Sequence, residues 1–329
     1  MELQERVDQL NKLRKATERL RTAMFATMES GGYLDTIARE GSDLDRVKQF
    51  LAEFKEPIPP LSVDDVVAPG FISKPNPWVF PMFPGLGNMP FHPPEAFPWV
   101  RQLEAAFPEL RREAQSSRTT FDTSFYDEVT QQGGNWYQGH ATACGTLHDG
   151  KVGHYLPTLS SVIRDLPGCC SAELGSADCY YSVLEAGASI NAHSSSDNLK
   201  VRCHLGLVIP PGPCAISVGG QTRGWEEGKV LILEDAFLHM VWNRTGQDRI
   251  VALIDFWHPD LAPPERAALS AGFKKSEMRR MICYSRSVTP EVTERMMRLF
   301  EAEDDDPSIA RFWPRKPSYD FRPQGRITD

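Results

Sequence analysis

Leu3, Val7, Leu10, Leu13, Leu20 and Met24 recur at three- to four-residue spacing with Arg, Lys and Glu between them. That period places apolar side chains on one face of a helix. Gly31 and Gly32 interrupt it, and a second amphipathic stretch covers residues 44–54, so residues 1–55 read as a helical arm. The arm can pack on the main body or pair with a second copy as a dimerisation helix. A regular heptad does not persist, because Arg14, Thr17 and Arg21 fall on the extrapolated seam.

From 56 to 98 the pattern gives way to proline, from Pro57 to Pro98, with Trp78, Phe80, Phe83, Phe91, Phe97 and Trp99 embedded in the run. Proline at this density excludes a long helix or a central strand. The aromatics predict a segment wrapped over a surface rather than a free linker. Pro98 then opens a helical pattern, WVRQLEAAFPELRREA, which Pro108 interrupts. Between about 119 and 258 short β-prone runs are separated by Gly, Pro, Asp and Asn. CYYSVLEAG, LKVRCHLGLVIP, CAISVGG, KVLILEDAFLHMVW and RIVALIDFW are the clearest. Short strands with turn signals between them predict a sandwich or barrel. The expected organisation is thus a mostly β core at 99–262 behind its leading helix, a wrapping segment at 56–98, and helical extensions at 1–55 and 263–329. In the last of these, Thr289-Pro290-Glu291 reads as a helix start, and the acidic run from Glu301 to Asp306 as a solvated helix end.

Composition narrows the function classes. The 329 residues carry a formal net charge of −8, which argues against a general nucleic-acid-binding face while allowing a local basic pocket. Seven cysteines without a CxxC pair argue against a disulfide framework or a zinc ribbon. The first residues lack an apolar signal-like region and no run of about 18 apolar residues occurs, so the expectation is a reduced, cytoplasmic protein without a membrane span. The Asn243 sequon is then a chance match.

Eight histidines are present, and His193, His204 and His239 fall in or beside the β-rich runs. One such histidine is most simply a satisfied core residue. A pair gathered by a small barrel is a metal site, because neutral imidazole is a common ligand for mid-row metals. Arg249 opens an otherwise apolar strand with no acid alternating suitably beside it. A guanidinium buried there would want an external carboxylate, and one at the strand mouth would simply face water. Arg202 and His204, two apart, share a strand face. The order His193, Arg202, His204, His239, Arg249 suggests a metal-plus-carboxylate site.

Three long phrases, HSSSDNLKVRCHLGLVIP, WEEGKVLILEDAFLHMVWN and RIVALIDFWHPDL, closely resemble the aspartyl/asparaginyl β-hydroxylase family. FPGLGNMPFHPPEAFPWVRQLEAAF and GGNWYQG extend the likeness weakly upstream. The resemblance implies an iron(II)- and 2-oxoglutarate-dependent oxygenase on a double-stranded β-helix, a jelly-roll or cupin-like barrel. It implies that O2 and 2-oxoglutarate are consumed, with release of succinate and CO2, as an unactivated C–H bond is oxidised. His193 and His239 match the family's iron ligands. Arg249 and Ser182 match the groups that hold the distal carboxylate of 2-oxoglutarate, and Arg202 and His204 match residues near its metal-proximal carboxylate. Trp136 matches an aromatic on the substrate side.

Two departures matter. The usual third ligand of such sites, an acid two residues after the first histidine, is Ser195 here. Two protein ligands plus water are therefore expected, with Asp197 able to approach only by loop rearrangement and Asp235 supporting the metal site from behind. Tyr180 replaces a basic residue that members acting on folded peptides carry, and no membrane anchor is seen. Both favour a small-molecule substrate, a metabolite or natural-product intermediate, for which Trp136 and Tyr180 would suit an apolar or aromatic group. The alternatives are a peptidyl Asp/Asn hydroxylase, a non-catalytic binding module that keeps the barrel, and a cupin-type enzyme that needs neither Arg249 nor Ser182.

Overall fold

The computed structural model describes residues 3–68, 70–123, 131–147 and 155–273, with 278, 279, 281 and 282. The strands, in chain order, are β1 (Phe91–His92), β2 (Asp122–Thr123), β3 (Gln131–Gln132), β4 (Trp136–Ala143), β5 (Thr146–Leu147), β6 (Cys179–Leu184), β7 (Ser189–His193), β8 (Lys200–Val208), β9 (Cys214–Val218), β10 (Gln221–Arg223), β11 (Val230–Leu233), β12 (His239–Asn243) and β13 (Arg249–Trp257). Eight of them form one sheet in the order β1-β11-β8-β13-β6-β4-β2, with β5 paired to β4. The other five form a second sheet, β10-β9-β12-β7-β3. All pairings are antiparallel. From β6 to β9, and again from β11 to β13, successive strands alternate between the sheets. Among the described residues no strand is hydrogen-bonded into both sheets, so the barrel is not closed.

The alternation of side chains along each strand divides the core into layers. Outward-facing Val201, Cys203 and Leu205 of β8 and Ile250, Ala252 and Ile254 of β13 pack under three helices. These are α5 (Val100–Ala105), α6 (Phe107–Ser116) and α7 (Pro157–Asp165). Pro108 lies within the first two positions of α6, where its missing N–H breaks no helical bond, so it restarts the helix after Ala106 rather than kinking it. Between the sheets Leu233, Val251 and Leu253 meet Ile190, Ile216 and Val241. Inward positions of β8 and β13 also carry Lys200, Arg202, His204, Arg249 and Asp255, which concentrates polar chemistry inside an apolar frame.

The N-terminal helices are α1 (Leu3–Ser30), α2 (Tyr33–Arg39), α3 (Asp45–Ala52) and α4 (Val63–Val67). Met24 and Met28 of α1 pack with Phe50, Phe80, Phe83 and Phe273, the last from α8 (Pro263–Phe273). Phe80, Phe83, Phe91, Phe97 and Trp99 are buried, while Trp78 stays 37% exposed. The backbone of the proline-rich stretch runs along two loops of the β core: Asn76 N–H donates to Ala236 O, Trp78 N–H to Ser195 O, and Phe80 N–H to Ser196 O at 2.8, 3.1 and 2.7 Å. Cys144 is disulfide-bonded, which corrects the expectation of an all-thiol chain. The helix start at Thr289 and the acidic run lie outside the described residues. No helix among the described residues is long and apolar enough to cross a membrane.

Candidate active site

His193 ends β7 and His239 begins β12, and the antiparallel register sets them directly opposite. Their ring centroids are 4.2 Å apart. Each ring is oriented by the backbone carbonyl two residues before it: His193 Nδ1 lies 2.7 Å from Asn191 O and His239 Nδ1 2.9 Å from Phe237 O. A carbonyl accepts only, so both Nδ1 atoms carry the proton and both Nε2 atoms present a lone pair. Burial lowers the basicity of both rings; with His193 beside it, His239 falls to about 3. Neither proton nor positive charge then competes with a metal cation for these nitrogens.

Behind the pair lies a buried charge cluster. Asp235 takes the backbone N–H of Ser195 on its carbonyl at 2.7 Å. Its carboxylate sits 3.0 Å from Arg202 and 3.5 Å from Lys200, and these cations hold it ionised against the effect of burial. Its charge also acts on His239. Asp197 is fully buried, accepts from Leu199 N and Ser196 Oγ, and lies 3.7 Å from Lys200. It belongs to this cluster. Ser195, in the position of a third ligand, turns its hydroxyl to Asp197 O at 2.6 Å.

Arg202, expected near the metal-proximal carboxylate of the cosubstrate, is held by acids: its Nε and Nη2 each reach Asp255 at 2.8 Å, and Nη1 reaches Asp235. Strand register puts Asp255 opposite Arg202, a pairing that sequence spacing alone could not show. Trp136 is the aromatic expected on the substrate side. It is 4% exposed and donates its indole N–H to Ser182 Oγ at 2.9 Å, because Trp136 and Ser182 share a face across the β4–β6 pairing. Tyr180 is likewise 3% exposed, its ring 4.7 Å from that of His140.

Arg249 is 1% exposed. Its Nη1 donates to Ser182 Oγ at 3.4 Å, its guanidinium stands 5.0 Å from the ring centre of Trp225, and its Nε has no partner. No carboxylate among the described residues pairs with it, and burial brings it down to about 10. Nearby, Trp225 donates its indole N–H to His204 Nδ1 at 3.2 Å. The lone pair of His204 is therefore used, its Nε2 carries the proton, and that N–H is buried without an acceptor. A buried cation without a counter-charge and an unpaired buried donor, both against Trp225, call for an anion. The donor set thus fits a metal at His193 and His239 and a carboxylate ligand toward Arg249.

A further cluster, absent from the sequence reading, joins His92, Glu234 and His258, all buried. His92 Nε2 lies 2.8 Å and His258 Nε2 3.5 Å from Glu234 Oε1. It has the composition of a metal triad, but Asp260 N–H donates to His258 Nδ1, so His258 Nε2 bears a proton and faces Glu234 as a donor. The arrangement is a carboxylate clamp that ties β1 and the end of β13 to the turn before His239.

Residues 104–259 match the family model described as Aspartyl/Asparaginyl beta-hydroxylase. Human aspartyl/asparaginyl beta-hydroxylase is 34% identical over 147 residues, 44% of this chain and 19% of that one. Human aspartate beta-hydroxylase domain-containing protein 1 is 34% identical over 218 residues, 62% of this chain and 53% of that one. The ornithine lipid ester-linked acyl 2-hydroxylase of Rhizobium tropici is 30% identical over 187 residues, covering 54% and 64%. The chain thus spans from about a fifth to somewhat under two thirds of these relatives' own lengths. Among solved structures, a Pseudomonas putida prolyl-4-hydroxylase aligns over 47% of this chain and 87% of its own, at 13% identity and a TM-score of 0.32. That likeness is too distant to bear on function.

Proposed function

We propose that this chain, whose residues 104–259 belong to the aspartyl/asparaginyl β-hydroxylase family, is an iron(II)- and 2-oxoglutarate-dependent oxygenase built on a double-stranded β-helix. It hydroxylates, or otherwise oxidises, an unactivated C–H bond of a small molecule. Two facing sheets with alternating strands support the architecture. The observation that carries the activity is Arg249, a buried guanidinium that no carboxylate among the described residues pairs with, beside Ser182 and, across Trp225, the unpaired N–H of His204.

Each residue has a task that follows from its surroundings. The Nε2 lone pairs of His193 and His239 would hold the metal. Arg249 and Ser182 would take the distal carboxylate of 2-oxoglutarate, with Trp136 orienting the Ser182 hydroxyl. His204 would donate to the end of the cosubstrate nearer the metal. Asp235 balances the local positive charge, and the apolar inter-sheet layer excludes water. When bound, iron(II) and 2-oxoglutarate supply the oxidising power from O2, with succinate and CO2 as by-products.

The relatives' names point to hydroxylation on targets as different as Asp or Asn residues and the acyl group of an ornithine lipid. Tyr180, uncharged and packed on His140, supports a small-molecule substrate over a peptide. The test is succinate formation from 2-oxoglutarate, with and without iron(II), across a metabolite panel and Asp- and Asn-containing peptides. Iron-dependent turnover stimulated by a metabolite is expected. Stimulation by peptides alone would assign the peptidyl reading, and no iron-dependent succinate from any mixture would refute the oxygenase.

A further inference from the structure

Trp225 lies in the 224–229 loop between β10 and β11 and is 9% exposed. It touches two groups of the candidate cosubstrate chamber at once. Its N–H goes to His204 Nδ1 at 3.2 Å, with the two rings 22° from parallel, and its ring lies 5.0 Å from the Arg249 guanidinium. The loop is held against β8 by Gly206, two residues past His204. Gly206 N–H donates to Lys229 O at 3.0 Å and Gly228 N–H to Gly206 O at 2.9 Å. A Cβ at Gly206 would run into the backbone carbonyl of Glu226, so the tight approach needs glycine.

A neutral imidazole in a buried site can place its proton on either nitrogen, and only one choice gives a donor toward the chamber. An indole N–H donates and never accepts, so its contact with Nδ1 decides the matter: the proton must sit on Nε2. The apolar face of the same indole covers the guanidinium and leaves its unpaired Nε without a competing protein acceptor.

We propose that Trp225 is a positioning residue that presets His204 as a hydrogen-bond donor and holds Arg249 in place for an anionic cosubstrate. The assignment rests on the function proposed above. Trp225→Phe keeps a ring over Arg249 and removes the N–H. In 15N NMR of the metal-free protein, wild-type His204 should show a single tautomer with the proton on Nε2, and Trp225→Phe should show a mixture. Calorimetric titration of 2-oxoglutarate into the manganese(II)-loaded protein should weaken roughly tenfold in Trp225→Phe, the size of one hydrogen bond to a charged group. In a His204→Gln background, where the amide N–H2 donates without tautomer control, Trp225→Phe should have almost no further effect.

An unchanged His204 tautomer in Trp225→Phe overturns the proposal. So does a changed tautomer with 2-oxoglutarate affinity within twofold of wild type. A locked tautomer in a wild type that binds no 2-oxoglutarate upholds the effect of Trp225 on His204 but refutes the cosubstrate reading, so the two failures are distinguishable.

Discussion

Arg249→Met separates a ligand-binding guanidinium from a structural one, because the two roles predict opposite effects on the free protein. The side chain is 1% exposed, and burial brings it from an ordinary 12.5 to about 10. At about 1.36 kcal/mol per pKa unit, keeping that charge inside the free protein costs on the order of 3 kcal/mol. A methionine of similar length removes the penalty and fills most of the volume. The free variant should therefore be as stable as wild type, or more so, in urea unfolding at pH 7. Ligand binding should move the other way. Removing one partner of a buried charge pair costs roughly 3–5 kcal/mol, or about two to three and a half decades of affinity. At a 2-oxoglutarate concentration of 100 times the wild-type Kd, ligand stabilises wild type by about 2.7 kcal/mol; the variant should show almost none. Arg249→Lys should recover only part of the affinity, since an ammonium cannot form the two-pronged contact. The paired measurements are urea unfolding with and without 2-oxoglutarate, and the apparent KM from succinate release. An Arg249→Met protein destabilised by several kcal/mol, with a KM within about threefold of wild type, would show the guanidinium to be structural and remove it from the site.

His193→Ala and His239→Ala should each abolish metal binding in a titration while leaving the fold intact by circular dichroism, because the pair closes no structural cage; full activity in either would refute the ligand assignment. Arg202→Ala should behave in the reverse sense to Arg249→Met: it strands Asp255 and Asp235 in the core and should cost roughly 3–5 kcal/mol of stability, read by urea unfolding without ligand. Glu234→Gln should cost about 1.5–3 kcal/mol at pH 7. Burial would raise the pKa of Glu234, yet His258, His92 and Met89 N–H together hold it below 4.5. Below that value the unfolded chain takes up a proton that the folded one still refuses, so wild-type stability falls as pH drops. The gap between wild type and Glu234→Gln should therefore narrow between pH 5 and the folded value, and a gap constant from pH 7 to 4 would count against the clamp.

Much of this organisation is readable along the chain. Alternating apolar runs and turn residues mark the strands of the β core, and embedded aromatics mark the proline-rich stretch as a wrap, because local periodicity and backbone restrictions act over a few residues. Residue type also marks His193, Arg202, His204, His239 and Arg249 as groups in apolar strands that demand partners; their separate roles come from the family resemblance. What those partners are depends on strand register, and register is a long-range property. The same rule that puts Arg202 and His204 on one face of β8 cannot say that Asp255, more than fifty positions on, lies opposite Arg202. Nor can it say that Trp136 spends its N–H on Ser182 or that His258 turns a proton toward Glu234. Trp225 opens one of the phrases that carry the family resemblance but had no role assigned from the sequence; its meaning comes from a loop pressed onto β8 at Gly206. The residue types thus determine which charges and lone pairs must be satisfied. Only the tertiary structure decides which are satisfied internally, as at Arg202, and which stay open, as at Arg249 and His204, because that depends on which side chains the two sheets bring within hydrogen-bond reach.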